Sequence, residues 1–138
     1  MREFDPSTPL GDATVQEIQW ELLRRAQHNA LDGEQVLGSL MKHRSLWTAV
    51  LLDRQLIWAR ARLPIGGLIK LRDLPDNDWN ADTVYILCEG RENGRRLAEV
   101  ARGEDWGGEV IVYDDQEEVA LSLGGGPDEY VIIKVWWD

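Results

Sequence analysis

The segment EYVIIKVWW, residues 129–137, constrains the fold more than any other part of the chain. Side chains alternate along a strand, so Val131 and Ile133 would point to one face and Ile132 to the other. Both sets are apolar. A strand that is apolar on both faces is typical of the centre of a sheet whose two sides are covered. We therefore predict that this segment is a central strand.

The second half of the chain alternates predicted strands and helices. The hydrophobic pattern predicts strands at 83–88 and 109–113, helices at 91–103 and 115–122, and the final strand after them. This βαβαβ order implies parallel pairing with right-handed crossovers. We therefore expect parallel strands in this half.

The first half begins with helices. Residues 1–12 hold two prolines and few core candidates, so we expect a flexible N-terminal arm ahead of one globular domain at 13–138. Asp12 is expected to cap a helix at about 13–29, with Trp20 and Leu23 beside a buried stripe formed by Val15, Ile18, Leu22 and Ala26. A second helix is predicted at 33–42, with the apolar face Val36, Leu37, Leu40 and Met41.

Residues 46–72 suit either a long helix or short strands. Their leucines, alanines and arginines favour a helix, whereas the alternation over 57–63 favours a half-buried strand. We predict strands near 46–52, 56–63 and 67–72. The predicted fold class is α+β or α/β, with N-terminal helices, a mixed central sheet, and a C-terminal βαβαβ-like half with parallel strands.

Charge is distributed unevenly along these 138 residues, whose net charge is −10. Residues 73–138 carry seventeen acidic and five basic side chains, whereas residues 1–72 carry eight and ten. The acidic half would repel the phosphates of nucleic acids and of anionic membranes, so we expect neither as a partner. It would attract a basic protein, although an acidic surface also serves solubility.

Other features indicate a cytoplasmic protein of bacterial type. No apolar run approaches the roughly 20 residues that span a bilayer. The start of the chain lacks the apolar core of a signal peptide. A single cysteine excludes an internal disulfide and a cysteine-rich zinc site. We expect no metal and no cofactor.

Six segments spread over most of the chain carry a family pattern: DGEQVLGSLMKHRSLWTAVLLD, TVYIL, ENGRRLAEVA, EVIVY, DQEEVALSL and YVIIKV. In this order they resemble the N-terminal domain of SseB-type proteins, the enhanced-serine-sensitivity family. After TVYIL this sequence has Cys88, Glu89 and Gly90, where the family usually has a Phe-Thr-Ser-like turn. The resemblance implies an interaction domain rather than a defined reaction.

Cys88 precedes a glycine-containing loop, as in several phosphate and thiol active sites. A phosphatase-type loop needs an arginine after five intervening residues, but that position is Gly94, and Arg95 comes one residue late. Glu89 and Glu92 would also repel phosphate. A free cysteine at the end of a strand is usually a small buried hydrophobe, so we predict a structural Cys88.

The segment DNDWNAD has part of a calcium-loop pattern. Asp76, Asp78 and Asn80 fit the first, third and fifth positions of an EF-hand. Ala81 and Leu87 stand where glycine and the bidentate glutamate are required, so we predict a solvated connector.

Asp114 and Asp115 follow a predicted strand and have two interpretations. Paired carboxylates can act as acid and base or bind Mg²⁺. Acidic residues also favour the first turn of a helix, where exposed amides attract negative charge. The second interpretation makes them helix-capping residues.

Seven tryptophans are present, and most are expected in the core or in an interface. Trp79 and Trp106 lie in acidic loops and are predicted to be contact anchors, framed by Asp76, Asp78, Glu104 and Asp105. The leading hypothesis is a non-enzymatic acidic binding module, regulatory or immunity-like, with a protein partner. The alternatives are a small-molecule-binding or enzymatic domain that uses Asp114 and Asp115, and a homo-oligomer with Trp20, Leu23 or Trp136 in its interface.

Overall fold

The computed structural model describes residues 3–55, 69–126 and 129–138. Across these residues the chain is α+β, and 3₁₀ helices span Leu10–Asp12, Arg44–Leu46 and Ile69–Asp76. The strands are β1 (Ala49–Asp53), β2 (Thr83–Glu89), β3 (Glu109–Tyr113) and β4 (Tyr130–Trp136). The α-helices are α1 (Val15–Arg25), α2 (Gly33–Lys42), α3 (Arg91–Gly103) and α4 (Gln116–Ser122).

The four strands form one sheet in the order β1–β2–β4–β3, and every neighbouring pair is antiparallel. The predicted parallel pairing and the predicted mixed sheet are therefore wrong. β2 and β3 run in the same direction with α3 between them in sequence, but β4 lies between them in the sheet. The central position of β4 is confirmed. It gives the strand that is apolar on both faces two hydrogen-bonded neighbours, and it separates β2 from β3.

One face of the sheet carries the main core. Its alternating residues are nearly or fully buried: Val50, Leu52, Val84, Ile86, Cys88, Val131, Ile133 and Val135. Helices α1, α2 and α3 complete the same cluster with Trp20, Leu23, Val36, Leu40, Leu97 and Ala101. Gly94 allows α3 to approach closely, because a Cβ there would lie 2.7 Å from Val131 Cγ1. The predicted structural role of Cys88 is confirmed.

Helix α1 differs from the prediction in its bounds, its cap and its buried face, since it ends at Arg25 and not near residue 29. Thr14, not Asp12, caps it, and its hydroxyl and the Glu17 carboxylate bond reciprocally to backbone amides in a capping box. In this helix Trp20 and Leu23 are completely buried, whereas Val15 is 78% exposed. The buried stripe therefore centres on Trp20 and Leu23 and keeps Ala26 of the predicted set, whereas Ile18 and Leu22 are only half-buried. Neither Trp20 nor Leu23 can lie in a surface interface, which corrects that part of the oligomer hypothesis.

Several other element predictions are confirmed by the structure. Helices α2 and α3 and strand β3 have the predicted bounds, and α4 begins one residue later than predicted. The strand expected near 46–52 is β1, whereas the strand predicted at 56–63 lies outside the described residues. The strand predicted at 67–72 is wrong where the structure describes it, since residues 69–72 belong to a 3₁₀ helix. Leu71 and Leu74 there are 59% and 45% exposed, so no strand face is buried.

The segment ahead of α1 contacts the core at one side chain. Phe4 packs edge-to-face on Trp20, with 6.4 Å between ring centroids, and Trp20 in turn packs edge-to-face on Trp47 at 5.9 Å. The guanidinium of Arg44 lies 3.9 Å from the Trp47 ring centroid. These rings close the end of the core beside α1. A flexible arm at residues 1–12 stays a prediction.

Candidate functional site

Trp106 belongs to the core and not to an exposed loop. Its ring is 2% exposed, and its Nε1 donates to Ser39 Oγ at 2.9 Å. The Trp106 carbonyl accepts a bond of 2.6 Å from Trp137 Nε1. A ring held in this way has no free surface for a partner, so the prediction that Trp106 is a contact anchor is corrected. The prediction was wrong because the backbone of the glycine-rich loop directs the Trp106 ring into the core.

Glu104 joins α2 to the segment that follows α3. Its carboxylate accepts from Ser39 Oγ at 2.9 Å and bonds to the Nε2 of His43. These hydrogen bonds, first from His43 and then from Ser39, lower the pKa of Glu104. Asp105 contributes its carbonyl, which accepts from Gln35 at 3.2 Å. Both acidic residues therefore hold α2 against the end of α3, and Ser39, whose hydroxyl Glu104 contacts, is nearly buried, at 5% exposed.

Trp79 lies in a different groove from Trp106. The groove has a volume of about 590 Å³ between the end of α1 and residues 74–81, and Arg24, Arg25, His28 and Asp78 also line it. Trp79 is half-buried and packs on the core, while Asp76 is exposed at the end of its 3₁₀ helix. Glu104, Asp105 and Trp106 do not line this groove. The predicted binding residues are thus not brought together.

Asp115 is the N-cap of α4, and its Oδ1 accepts from the Glu118 amide at 3.0 Å. Its helix-capping interpretation is confirmed. Asp114 accepts bonds through its backbone carbonyl, from Arg91 at 3.4 Å and Gln116 at 3.2 Å. Among the described residues, no group of three or more His, Cys, Asp or Glu side chains is arranged to hold a metal ion.

A second groove, which the sequence predictions did not include, lies on the sheet face opposite the main core. We call it the sheet-face groove. Its volume is about 550 Å³. The lining residues come from all four strands and from α4 and its C-cap: Ala49, Val50, Leu51, Tyr85, Ile86, Leu87, Tyr113, Glu118, Val119, Ser122, Leu123 and Ile132. In the described part of the chain, α4 covers this face through Val119, which is 2% exposed. None of the described residues covers the floor between α4 and β1, and Leu51 is 45% exposed.

Negative charge borders the sheet-face groove. Burial raises the pKa of the Tyr85 phenol, and the nearby carboxylates of Asp53 and Asp82 raise it further. Glu118 stands in the wall formed by α4. Asp82 is fixed in place, since its Oδ1 accepts from Thr83 Oγ1 at 2.8 Å. The groove therefore has an apolar floor with three carboxylates on or near its border, and Lys134 lies on the same face opposite Tyr85.

One signal in the sequence pointed to this groove. Residues at alternate positions on both faces of β2 and β4 are apolar, which predicts that both faces are covered. Tyr85, Leu87 and Ile132 are the second set, and each is only half-buried. The position of α4 above them could not be derived, because it depends on β4 lying beside β3.

Comparison of the chain with protein-family models, with curated proteins and with solved structures gives no match. None of the helices in the described ranges is both long and apolar enough to cross a membrane. The resemblance to SseB-type proteins therefore stays a prediction.

Proposed function

We propose that this protein is a non-enzymatic binding module that holds apolar side chains of a basic partner protein in the sheet-face groove. One observation carries the proposal: an apolar floor on the sheet that no described residue covers, with Leu51 45% exposed beside half-buried Tyr85 and Leu87. An apolar depression with a polar border is the usual form of a protein-binding surface. The implied interaction domain of the SseB-type resemblance agrees with this proposal.

The basic character of the partner follows from charge. The protein has a net charge of −10, and seventeen of its acidic residues lie in residues 73–138, which supply most of the groove. Glu118 lines the groove, and Asp53 and Asp82 lie close enough to Tyr85 to raise the pKa of its phenol. Lys134 lies opposite Tyr85 on the same sheet face. A partner with lysines or arginines beside its apolar anchors would be attracted before contact and paired after it.

The first prediction tests the groove by Leu51→Lys. The substitution removes an apolar contact and adds a cation to the floor, yet the side chain is exposed enough to leave the fold intact. Peptides selected by display on the unmodified protein should combine basic with aromatic or aliphatic residues. Their affinity for Leu51→Lys should fall about tenfold or more, because burying one leucine contributes about 1.5–3 kcal/mol.

The matched control is Leu121→Lys, which adds the same charge at a leucine that is 75% exposed and does not line the groove. It should bind the selected peptides almost as the unmodified protein does, and binding to both should weaken as salt is added. Peptides without basic residues, or affinities equally reduced by both substitutions, would contradict the proposal. So would a dimer in sedimentation that only Leu51→Lys dissociates, because the occupant would then be a second copy.

A further inference from the structure

The two edge strands of the sheet, β1 and β3, differ in whether side chains of the described residues bond to their outer backbone groups. The outer edge of β1 is occupied by side-chain amides of α1: Gln16 Nε2 donates to the Val50 carbonyl at 2.9 Å, and Gln16 Oε1 accepts from the Val50 amide at 2.8 Å. Gln19 Oε1 accepts from the Leu52 amide at 3.0 Å. These glutamines imitate a neighbouring strand, so β1 cannot pair with another chain without losing them.

The outer edge of β3 has no such cover among the described residues: no hydrogen bond outside the β4 ladder involves Glu109–Tyr113. The strand is regular and contains no proline. Val112 is 38% exposed. An uncovered edge of this kind is a template for a further strand.

The register identifies the backbone groups on offer. Gly90 N donates to Glu129 O at 2.8 Å, and Trp137 N donates to Asp82 O at 2.9 Å. The backbone groups of the odd-numbered residues of β4 therefore point towards β2. Backbone groups of successive residues point to opposite edges of a strand, so the even-numbered residues of β4 bond to β3. In β3, therefore, the N–H and C=O groups of Val110 and Val112 point away from the sheet.

Charge decides between two occupants of this edge. Glu109 stands at one end of β3, and Asp114, Asp115 and Glu117 follow its other end. A second copy paired antiparallel would bring two such acidic sets together, on chains that each carry a net charge of −10. An extended segment with basic residues meets opposite charge instead.

We propose that β3 is a strand-addition site, at which an extended basic segment of a partner protein pairs with the backbone of Val110 and Val112. The proposal is independent of the sheet-face groove, since it rests on backbone groups at the far edge of the sheet. In the free protein, the Val110 and Val112 amides should exchange quickly with solvent and the Ile111 amide slowly, because, of these three residues, only Ile111 bonds to β4. Slow exchange at both valines in the free protein would overturn the proposal.

The probe is a short peptide of alternating lysine and valine, followed by NMR hydrogen exchange. The expected result is protection of Val110 and Val112 on titration. Val112→Pro should reduce the affinity about tenfold, because proline removes an outward N–H without breaking the ladder. Val112→Thr keeps the N–H and the branched shape and should bind as the unmodified protein does.

A second variant covers the case in which Val112→Pro does not fold. Glu109→Lys reverses an exposed charge at the start of β3 and should weaken the same peptide severalfold while preserving the fold. Three results would overturn the proposal: no new protection at Val110 and Val112, equal binding of a peptide of alternating glutamate and valine, or a dimer in sedimentation that Val112→Pro dissociates.

Discussion

Burial determines the chemistry of Cys88. The side chain is 0% exposed on the main core face of β2, and burial raises the pKa of its thiol to about 12. At pH 8 only about one thiol in ten thousand would then be ionised. We predict no reaction of the native protein with a disulfide reagent such as DTNB, and full reaction of the same protein in guanidinium.

Ser45→Cys in a Cys88→Ala background provides the control for this prediction. Ser45 is exposed, so the new thiol should react in the native state within the time of mixing. Rapid reaction of native Cys88 would show that β2 opens readily, and would restore the possibility of a reactive thiol that the structural interpretation excludes.

Two glycines of α2 show how a single Cβ acts on the packing of elements. At Gly33 a Cβ would lie 1.8 Å from the Leu23 carbonyl oxygen and 2.8 Å from that of Ala26, both backbone atoms of the α1 end. At Gly38 nothing lies within 4 Å. Gly33→Ala should therefore separate α1 from α2 and lower the free energy of unfolding by about 3 kcal/mol.

Gly38→Ala, on the exposed face of the same helix, should raise the free energy of unfolding by about 0.5–1 kcal/mol, because alanine favours helices over glycine. Urea denaturation of both variants checks the pair. Equal effects of the two substitutions would mean that the contact between α1 and α2 is looser than the structure describes.

The elements themselves were largely predictable, and their pairing was not. The bounds of α2 and α3 follow from apolar residues at helical spacing, and those of β3 from a short apolar run. The prediction of strand pairing was wrong because α4 suggested a crossover between parallel strands. In the structure α4 connects β3 to its antiparallel neighbour β4. Alternation reports which residues are apolar on each face, but it carries no information on strand direction.

The candidate site was predicted less well than the elements, for a similar reason. The sequence groups Trp106 with Trp79 because both lie in acidic loops, but the exposure of each ring depends on how the backbone turns. Asp105 has a φ of 56°, and the following indole enters the core. The sheet-face groove involves residues from four strands and α4, so no local segment of the sequence displays it.

The acid stability of the whole molecule should depend on Glu104. Hydrogen bonds from His43 and Ser39 lower its pKa below the ordinary value of 4.5. The stabilisation is therefore complete above that ordinary value and is lost as the pH falls through the lower, folded-state pKa. We predict that Glu104→Gln is less stable than the unmodified protein at neutral pH, and that the difference shrinks below about pH 4.5.

Glu99→Gln is the matched control, because Glu99 pairs with the exposed Arg95 on the solvent side of α3. Its stability should differ little from that of the unmodified protein at any pH, since an exposed ion pair contributes little. Thermal unfolding of the three proteins across the acid range checks the prediction. A constant difference between Glu104→Gln and the unmodified protein over this range would contradict it.

The central place of β4 has a consequence for the order of events during synthesis. A ribosome releases residues 83–89 and 109–113 well before residues 130–136, which must later lie between them. Until then β1 is the only described strand beside β2, and the other edge of β2 is open to other chains. The middle of the sheet is thus completed last, and we expect the nascent chain to be most prone to association with other chains until residue 136 has emerged.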